Sequence, residues 1–163
     1  MRRKFGKAIN ELARKDKKIY LLVGDIGYGI FDDFRREHPK RFINLGICEQ
    51  SLIGFASGLS LEGFKPWVYT ITPFLIERPF EQIKLDIDQQ KANVKLVGFA
   101  DYPTLGPSHA ELDAKKSMKL FKNIRSFFPK NSSETLRVTF QSYKMRGPAF
   151  ISLKSDKKIG KNW

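Results

Sequence analysis

The sequence contains a single cysteine, Cys48, and no hydrophobic stretch of about eighteen residues. A lone cysteine excludes an internal disulfide and is typical of proteins kept in a reducing compartment, so we expect a cytoplasmic protein. A stretch of that length is needed to cross a bilayer, so no membrane span is predicted. The basic start at Met1–Phe5 is followed by no apolar segment, and we therefore expect no secretory signal.

Acidic residues are few relative to basic ones: 17 Asp and Glu stand against 30 Lys and Arg, which gives a net charge of +13. A charge of this size raises a basic nucleic-acid-binding or partner-binding module as an alternative function. The basic residues are spread along the whole chain, however, and no zinc-ligand spacing or recognition helix accompanies them. Their distribution favours solvated faces, or attraction of phosphorylated substrates or an acidic partner protein.

The length of 163 residues and the fourteen phenylalanines predict one domain with a packed core. Strands are predicted from short apolar runs at 19–23, 41–45, 67–71, 94–99, 124–128 and 149–153. Helices are predicted from apolar spacing at 4–15, 31–37, 50–63, 73–90, 112–122 and 133–145. This alternation predicts an α/β fold with a single open, mostly parallel sheet and helices on both faces. The domain would span 1–163, with its core at about 19–153 and a basic tail at 154–163.

Glu49 lies in the sequence Gly-Ile-Cys-Glu-Gln, between the end of a predicted strand and the start of a helix. Ligands of open α/β sheets bind at such strand ends. Taken alone, Glu49 is explained as an acid favoured by the helix dipole. The apolar residues of its own helix, with Phe74, Leu75 and Phe80 of the next element, would add a low-dielectric pocket. Such a setting suits an acid that shares a proton with a flat, weakly basic heterocycle.

A glycine-rich loop at 24–29 follows the first predicted strand and precedes a short helix, as dinucleotide-binding loops do. Its spacing is G-x-x-G-x-G, whereas the dinucleotide fingerprint is G-x-G-x-x-G. The loop therefore favours a tight turn that needs positive φ angles. The alternative is a ligand-facing loop with Asp25 as part of its polar wall.

Several segments occur in a characteristic order: INLGICEQS (43–51), GFASGL (54–59), GFKP (63–66), TPFL (72–75), RPFEQI (78–83), GPSH (106–109) and GPAFI (147–151). Together they resemble the pyrimidine-binding domain of transketolases and deoxyxylulose-phosphate synthases. The resemblance spans about 21–153, which is nearly the whole chain.

The resemblance implies thiamine diphosphate as cofactor. In that family the glutamate matching Glu49 hydrogen-bonds N1′ of the aminopyrimidine, and the imino tautomer so favoured takes the proton from C2 of the thiazolium. Phe74 matches the aromatic residue that packs on the pyrimidine, although Leu75 could take that place because the segment is one residue longer than in the synthases. Arg78 matches an arginine of the synthases, and Phe80 would complete the aromatic side of the pocket.

Two further residues match positions of that family. His109, in Gly-Pro-Ser-His, matches the histidine that contacts substrate oxygens in transketolases. Asp25 matches an aspartate near the cofactor. Catalytic roles are therefore expected for Glu49 and His109, and a cofactor-binding role for Asp25.

In this family a Gly-Asp-Gly motif, followed later by Asn, holds the diphosphate and Mg²⁺, and no Gly-Asp-Gly occurs in the sequence. Because the sequence stops soon after the strand predicted at 149–153, we also expect the third domain of transketolases to be missing. The resemblance thus implies one subunit of a split transketolase, active only with a diphosphate-binding partner in an α₂β₂ assembly, and no metal ligands on this chain. The isolated chain should expose an apolar patch around Phe74 and Phe80.

The expected reaction is the transfer of two-carbon ketol units between sugars or sugar phosphates. Within the same enzyme class, the alternatives are a deoxyxylulose-phosphate synthase-like subunit or a 2-oxoacid dehydrogenase β-type subunit. These reactions share their first steps on the cofactor.

Overall fold

The structure, a computed structural model, describes residues 1–100, 105–110 and 113–154. Its strands are β1 Ile19–Val23, β2 Phe42–Asn44, β3 Lys65–Ile71, β4 Lys95–Phe99, β5 Arg125–Phe127 and β6 Ala149–Leu153. They form one sheet in the order β2-β1-β3-β4-β6-β5, and every pairing is parallel. The predicted open α/β sheet is confirmed, and within the described residues it is parallel throughout.

The connections between strands are mainly helical. The α-helices are α1 Arg2–Lys15, α2 Asp32–Glu37, α3 Glu49–Leu61, α4 Thr72–Ile76, α5 Phe80–Gln82, α6 Ala114–Met118 and α7 Ser132–Lys144. A π-helix, Ile83–Gln89, continues α5, and 3₁₀ turns lie at Pro39–Arg41 and Pro107–His109. The helix predicted at 112–122 begins at Ala114, and Leu112 lies outside the described residues.

Helices cover both faces of the sheet, as predicted. On one face α1, α2 and α7 pack through side chains such as Phe5 and Phe34 against Trp67 of β3. On the other face α3, the π-helix and α6 pack through side chains such as Leu52 against Val68. Successive residues of β3 thus point into opposite halves of the core, as the pleat of a doubly covered strand requires.

The single helix predicted at 73–90 is wrong, because the chain breaks between α4 and α5 at Pro79. Proline has no amide hydrogen to donate and disfavours the helical conformation of the residue before it, here Arg78. Apolar residues continue at helical spacing across the break, at Ile76 and Ile83 for example, so periodicity alone does not reveal it. The break turns the chain at Arg78, whose side chain reaches back to α3.

None of the helices in the described ranges is both long and apolar enough to cross a membrane.

Candidate active site

The site lies at the carboxyl edge of the sheet, where the order of the strands changes direction. The connection after β1 leads to β2 on one side, whereas the connection after β3 leads to β4 on the other. Such a switch point opens a crevice between the two connections, and open α/β sheets place ligands there. Glu49 follows β2, and Phe74 and Arg78 follow β3.

Glu49 is the first residue of α3 and is only 5 % exposed. It is buried because Leu52, Ile53 and Ala56 of the same helix pack in the core against the sheet. The helix N-terminus stabilises its negative charge. Arg78 Nη1 donates a hydrogen bond to Glu49 Oε1 at 3.0 Å. A carboxylate withdrawn from water needs such a partner, so Arg78 compensates the burial of Glu49.

Phe74 of α4 lies on the other side of Arg78. The guanidinium carbon of Arg78 is 3.5 Å from the centre of the Phe74 ring. The ring of His109 meets Phe74 edge to face, with ring centres 4.8 Å apart and planes at 63°. Glu49, Arg78, Phe74 and His109 therefore form one continuous group, which we call the Glu49 group, assembled from three separate segments of the chain.

His109 is positioned by the 3₁₀ turn at Pro107–His109. Gly106 starts this turn with a φ of +93°, a conformation that glycine adopts without steric cost. The His109 amide donates to the Gly106 carbonyl at 3.1 Å, and Ser108 Oγ lies 3.1 Å from Nδ1 of His109. The Gly-Pro-Ser-His motif thus forms a compact turn that presents the imidazole to Phe74.

Two of the expected cofactor-binding residues lie elsewhere. Leu75 is fully buried and belongs to the core cluster that includes residues of α3 and β4. Phe80 begins α5, is 39 % exposed, and packs against Phe121 with ring centres 5.1 Å apart. Of the two candidates for packing on the pyrimidine, Phe74 is the one that contacts Arg78, the partner of Glu49.

Asp25 is fixed in a network on the β2 side of the crevice. It has a φ of +51°, and its amide donates to Asn44 Oδ1 at 3.0 Å. Asn44 Nδ2 donates to Asp25 Oδ1 at 3.2 Å, and Tyr28 OH donates to the same oxygen at 3.0 Å. That hydrogen bond to the Asp25 carboxylate raises the pKa of Tyr28.

Asn44 is a residue that the sequence analysis missed. Its Oδ1 also accepts from the amide of Gly46 at 3.0 Å, so it ties the Asp25 loop to the turn that leads into Glu49. The signal for it was a polar amide at the last position of the strand β2, after two apolar residues.

A cavity of about 240 Å³ opens beside this network, between the Asp25 loop and α2. Its lining residues are Val23, Ile26, Gly27, Tyr28, Phe31, Asp32, Arg35, Phe42 and Asn44. It borders the Asn44 network rather than Glu49 or Phe74. The Glu49 group is therefore a wall of side chains on one surface, not the lining of this cavity.

No cluster of three or more His, Cys, Asp or Glu residues suited to a metal ion occurs within 1–100, 105–110 and 113–154.

The sequence of the chain is similar to that of one family of known proteins. The family model "Transketolase, pyrimidine binding domain" matches residues 1–157. One subunit of the apulose-4-phosphate transketolase of Actinobacillus succinogenes is 38 % identical over 123 residues, which cover 74 % of this chain and 40 % of that protein. 1-Deoxy-D-xylulose-5-phosphate synthase of Oleidesulfovibrio alaskensis is 31 % identical over 156 residues, which cover 90 % of this chain and 23 % of that protein.

Solved structures show the same fold. A split-gene transketolase, described as an inactive beta4 tetramer, superposes with a TM-score of 0.84 at 33 % identity, over 93 % of this chain and 50 % of that one. Transketolase from Campylobacter jejuni superposes with a TM-score of 0.81 at 18 % identity, over 94 % and 25 %. The chain spans half or less of the length of each of these four proteins.

Proposed function

This chain belongs to the transketolase family through its pyrimidine-binding domain, and we propose that it is the pyrimidine-binding subunit of a split transketolase dependent on thiamine diphosphate. The proposed reaction moves two-carbon ketol units between sugars or sugar phosphates. One observation carries the proposal: a buried carboxylate at a strand end, Glu49, faces a flat cation that lies on the ring of Phe74.

The residues of the Glu49 group fit an aminopyrimidine. Such a ring needs an aromatic face to stack on and a carboxylate at its edge to bind its nitrogen. Phe74 offers the face and Glu49 the carboxylate. The position of Arg78 supports the fit, since a planar group bearing N–H donors already makes both contacts.

Thiamine diphosphate, when bound, supplies the nucleophilic carbon and the electron sink that cleavage of a ketose requires. We propose that Glu49 holds and returns a proton at N1′ of the pyrimidine, as a general acid and base in a water-poor setting. Phe74 orients the ring. His109, in edge contact with Phe74, is placed to bind substrate oxygens beside it.

We propose that Mg²⁺ and the diphosphate are held by a partner subunit, in an α₂β₂ assembly. The outer face of α3 supports a docking partner. Added Cβ atoms at Gly54 and Gly58 would have nothing within 4 Å, so packing inside this chain explains neither glycine. Glycine inside a helix costs about 1 kcal/mol relative to alanine. Phe55, 43 % exposed, lies beside them, and Glu49 is the only charged residue of α3 in a chain of net charge +13.

The proposal is tested with Glu49→Gln in the complex with the diphosphate-binding subunit. Glutamine keeps the shape of the side chain but cannot share a proton, so we expect ketol transfer to fall by about 100- to 10,000-fold. The melting temperature of the complex should stay within a few degrees. Glu62→Gln, at the exposed C-terminal end of the same helix, is the matched control and should retain full activity. Unchanged turnover in Glu49→Gln would refute the mechanism.

A synthase-like subunit is the second candidate. Arg78 matches an arginine of the deoxyxylulose-phosphate synthases, and the 31 % identity to such an enzyme supports it. The two activities differ in the donor, because a synthase releases CO₂ from pyruvate whereas a transketolase cleaves a ketose without releasing CO₂. Measuring CO₂ release from labelled pyruvate by the assembled complex distinguishes them.

A further inference from the structure

The guanidinium of Arg78 lies between the carboxylate of Glu49 and the ring of Phe74. Nη1 is 3.0 Å from Glu49 Oε1, and Cζ is 3.5 Å from the centre of the Phe74 ring. A flat cation therefore has its face on an aromatic ring and one edge on a buried carboxylate. These are the same two contacts that Glu49 and Phe74 are proposed to make with an aminopyrimidine.

The guanidinium of Arg78 occupies one face of the Phe74 ring. His109 approaches Phe74 edge to face at 4.8 Å, whereas Arg78 covers the ring at 3.5 Å. A second flat group cannot stack on a face that Arg78 covers, and its edge would meet a carboxylate oxygen that Arg78 engages. Arg78 and a pyrimidine therefore compete for one place.

Arg78 is able to leave this place. Its side chain is 40 % exposed, whereas that of Glu49 is 5 % exposed. A long side chain whose outer part is in water can turn outward and be solvated there. Glu49 has no such freedom, and a buried carboxylate left without a partner is strongly destabilising. An incoming donor must therefore replace Arg78 at Glu49 as it departs.

We propose that Arg78 is an internal substitute for the cofactor's pyrimidine. It pairs with Glu49 and covers Phe74, and it turns outward when the pyrimidine takes its place. This inference rests on the proposed function. It replaces the expected role of Arg78 as a cofactor-binding residue with the role of a competitor of the cofactor. The pairing gives the buried carboxylate of Glu49 a hydrogen-bond partner and covers the ring of Phe74.

The first test is a calorimetric titration of the assembled complex with thiamine diphosphate. Arg78→Met removes the guanidinium but keeps a long apolar stem. If Arg78 occupies the place about nine-tenths of the time, its removal should lower the Kd about tenfold. Arg125→Met is the matched control, because Arg125 also lies over a phenylalanine, Phe127, at 5.5 Å, on the edge strand β5. The control should leave the Kd unchanged, and weaker or unchanged binding in Arg78→Met would overturn the proposal.

The second test uses the unmodified sequence and does not depend on the folding of a variant. Arginine side-chain NMR signals are recorded in the complex with only this chain isotope-labelled, and Arg78 is assigned from Arg78→Lys. On saturation with thiamine diphosphate, the Arg78 signal should move to the position typical of a water-exposed arginine, because the side chain leaves both the Glu49 carboxylate and the ring of Phe74. A signal that stays in place at saturation would overturn the proposal.

The two proposals fail in different ways. If Glu49→Gln leaves cofactor affinity and turnover unchanged, the proposed function is wrong. If Glu49→Gln lowers turnover while Arg78→Met weakens cofactor binding, the proposed function stands and Arg78 is a cofactor ligand instead of a competitor.

Discussion

At the scale of single residues, the chemistry of Glu49 comes from its surroundings. A glutamate at the first position of a helix is common and mostly solvated, whereas this one is 5 % exposed and paired with Arg78 at 3.0 Å. Burial makes the choice of partner important, since only a cation or a strong hydrogen-bond donor offsets the lost hydration. Under the proposed function, the same restriction would favour a ring that presents a nitrogen to the carboxylate.

His109 is expected to act on substrate and not on the cofactor. Its ring meets that of Phe74 at an angle of 63° and is not stacked parallel to it. His109→Ala should therefore raise the KM for the sugar substrate several-fold while the Kd for thiamine diphosphate stays within about twofold. Steady-state kinetics and calorimetry on the same preparation check both halves. A loss of cofactor binding would contradict the assignment.

Glu37 lies outside the Glu49 group and should make the stability of the fold decrease at acidic pH. Arg14 donates two hydrogen bonds of 2.6 Å to its carboxylate, and Asn10 donates another at 3.2 Å, which ties α1 to α2. The hydrogen bond from Arg14 lowers the pKa of Glu37 from 4.5 to about 2. The stabilisation is thus complete above pH 4.5 and disappears as the pH falls towards 2, because the unfolded chain takes up the proton first.

Melting curves of Glu37→Gln test whether the stabilisation by Glu37 disappears as the pH falls. The variant should melt below the unmodified protein at pH 7, and the gap should close by pH 2 as Glu37 itself becomes protonated. Glu81→Gln, an exposed glutamate of α5, is the control and should shift little at either pH. A gap that is equally wide at pH 7 and pH 2 would exclude the proposed titration.

At the scale of elements, the break between α4 and α5 shapes the site. Phe74 lies within α4 and Arg78 follows it four residues later, a spacing that brings the two side chains together on a helix. In a continuous helix, the face that they share would continue along the axis to α5 and the π-helix. The turn at Pro79 instead directs Arg78 to the start of α3.

Pro79→Ala should therefore join the two helices and loosen the Arg78–Glu49 pair. Alanine restores the amide hydrogen and relieves the restriction on Arg78, so residues 77–79 can become helical. We expect helical carbon chemical shifts at 77–79 and a displaced Arg78 side-chain signal. Pro73→Ala is the matched control, because proline is tolerated in the first turn of α4. Non-helical shifts at 77–79 in Pro79→Ala would show that the tertiary packing, and not the proline, makes the break.

At the scale of the whole molecule, the Glu49 group is one wall of a site. The 240 Å³ cavity borders Asn44 and not Glu49, and we propose that a second surface encloses a cofactor held at Glu49. Glu49 is the first residue of α3, and the rest of that helix carries no charged side chain. A partner that covers α3 would also close the site, which would couple assembly to activity.

The variant Gly58→Leu tests whether assembly with the partner can be lost while the chain still folds. Leucine is a better helix former than glycine, and a Cβ at this position has open space, so the isolated chain should melt at the same temperature or higher. The same side chain would prevent close approach of a partner, and the complex should be lost in size-exclusion chromatography with light scattering. Arg137→Leu, exposed on α7, is the control and should still assemble. A Gly58→Leu chain that assembles normally would exclude α3 as the docking face.

The sequence by itself determined the α/β fold and the place of Glu49 in it. The strands Ile19–Val23 and Ala149–Leu153 have the predicted bounds, because a fully buried strand is a continuous apolar run. The turn from β2 into α3 was likewise readable, since the motif at 46–50 combines a glycine with polar residues after a strand. These features depend on residues that are close together in the chain.

Only the tertiary structure decided which side chains meet. It paired Arg78 with Glu49, laid the same guanidinium on the ring of Phe74, and packed Phe80 against Phe121. Glu49 and Arg78 are separated by 29 positions in sequence, and the rest of α3, the strand β3 and the helix α4 lie between them. Contacts of this kind depend on the path of the whole crossover and on the direction of each side chain. Neither can be predicted from the local periodicity of the sequence.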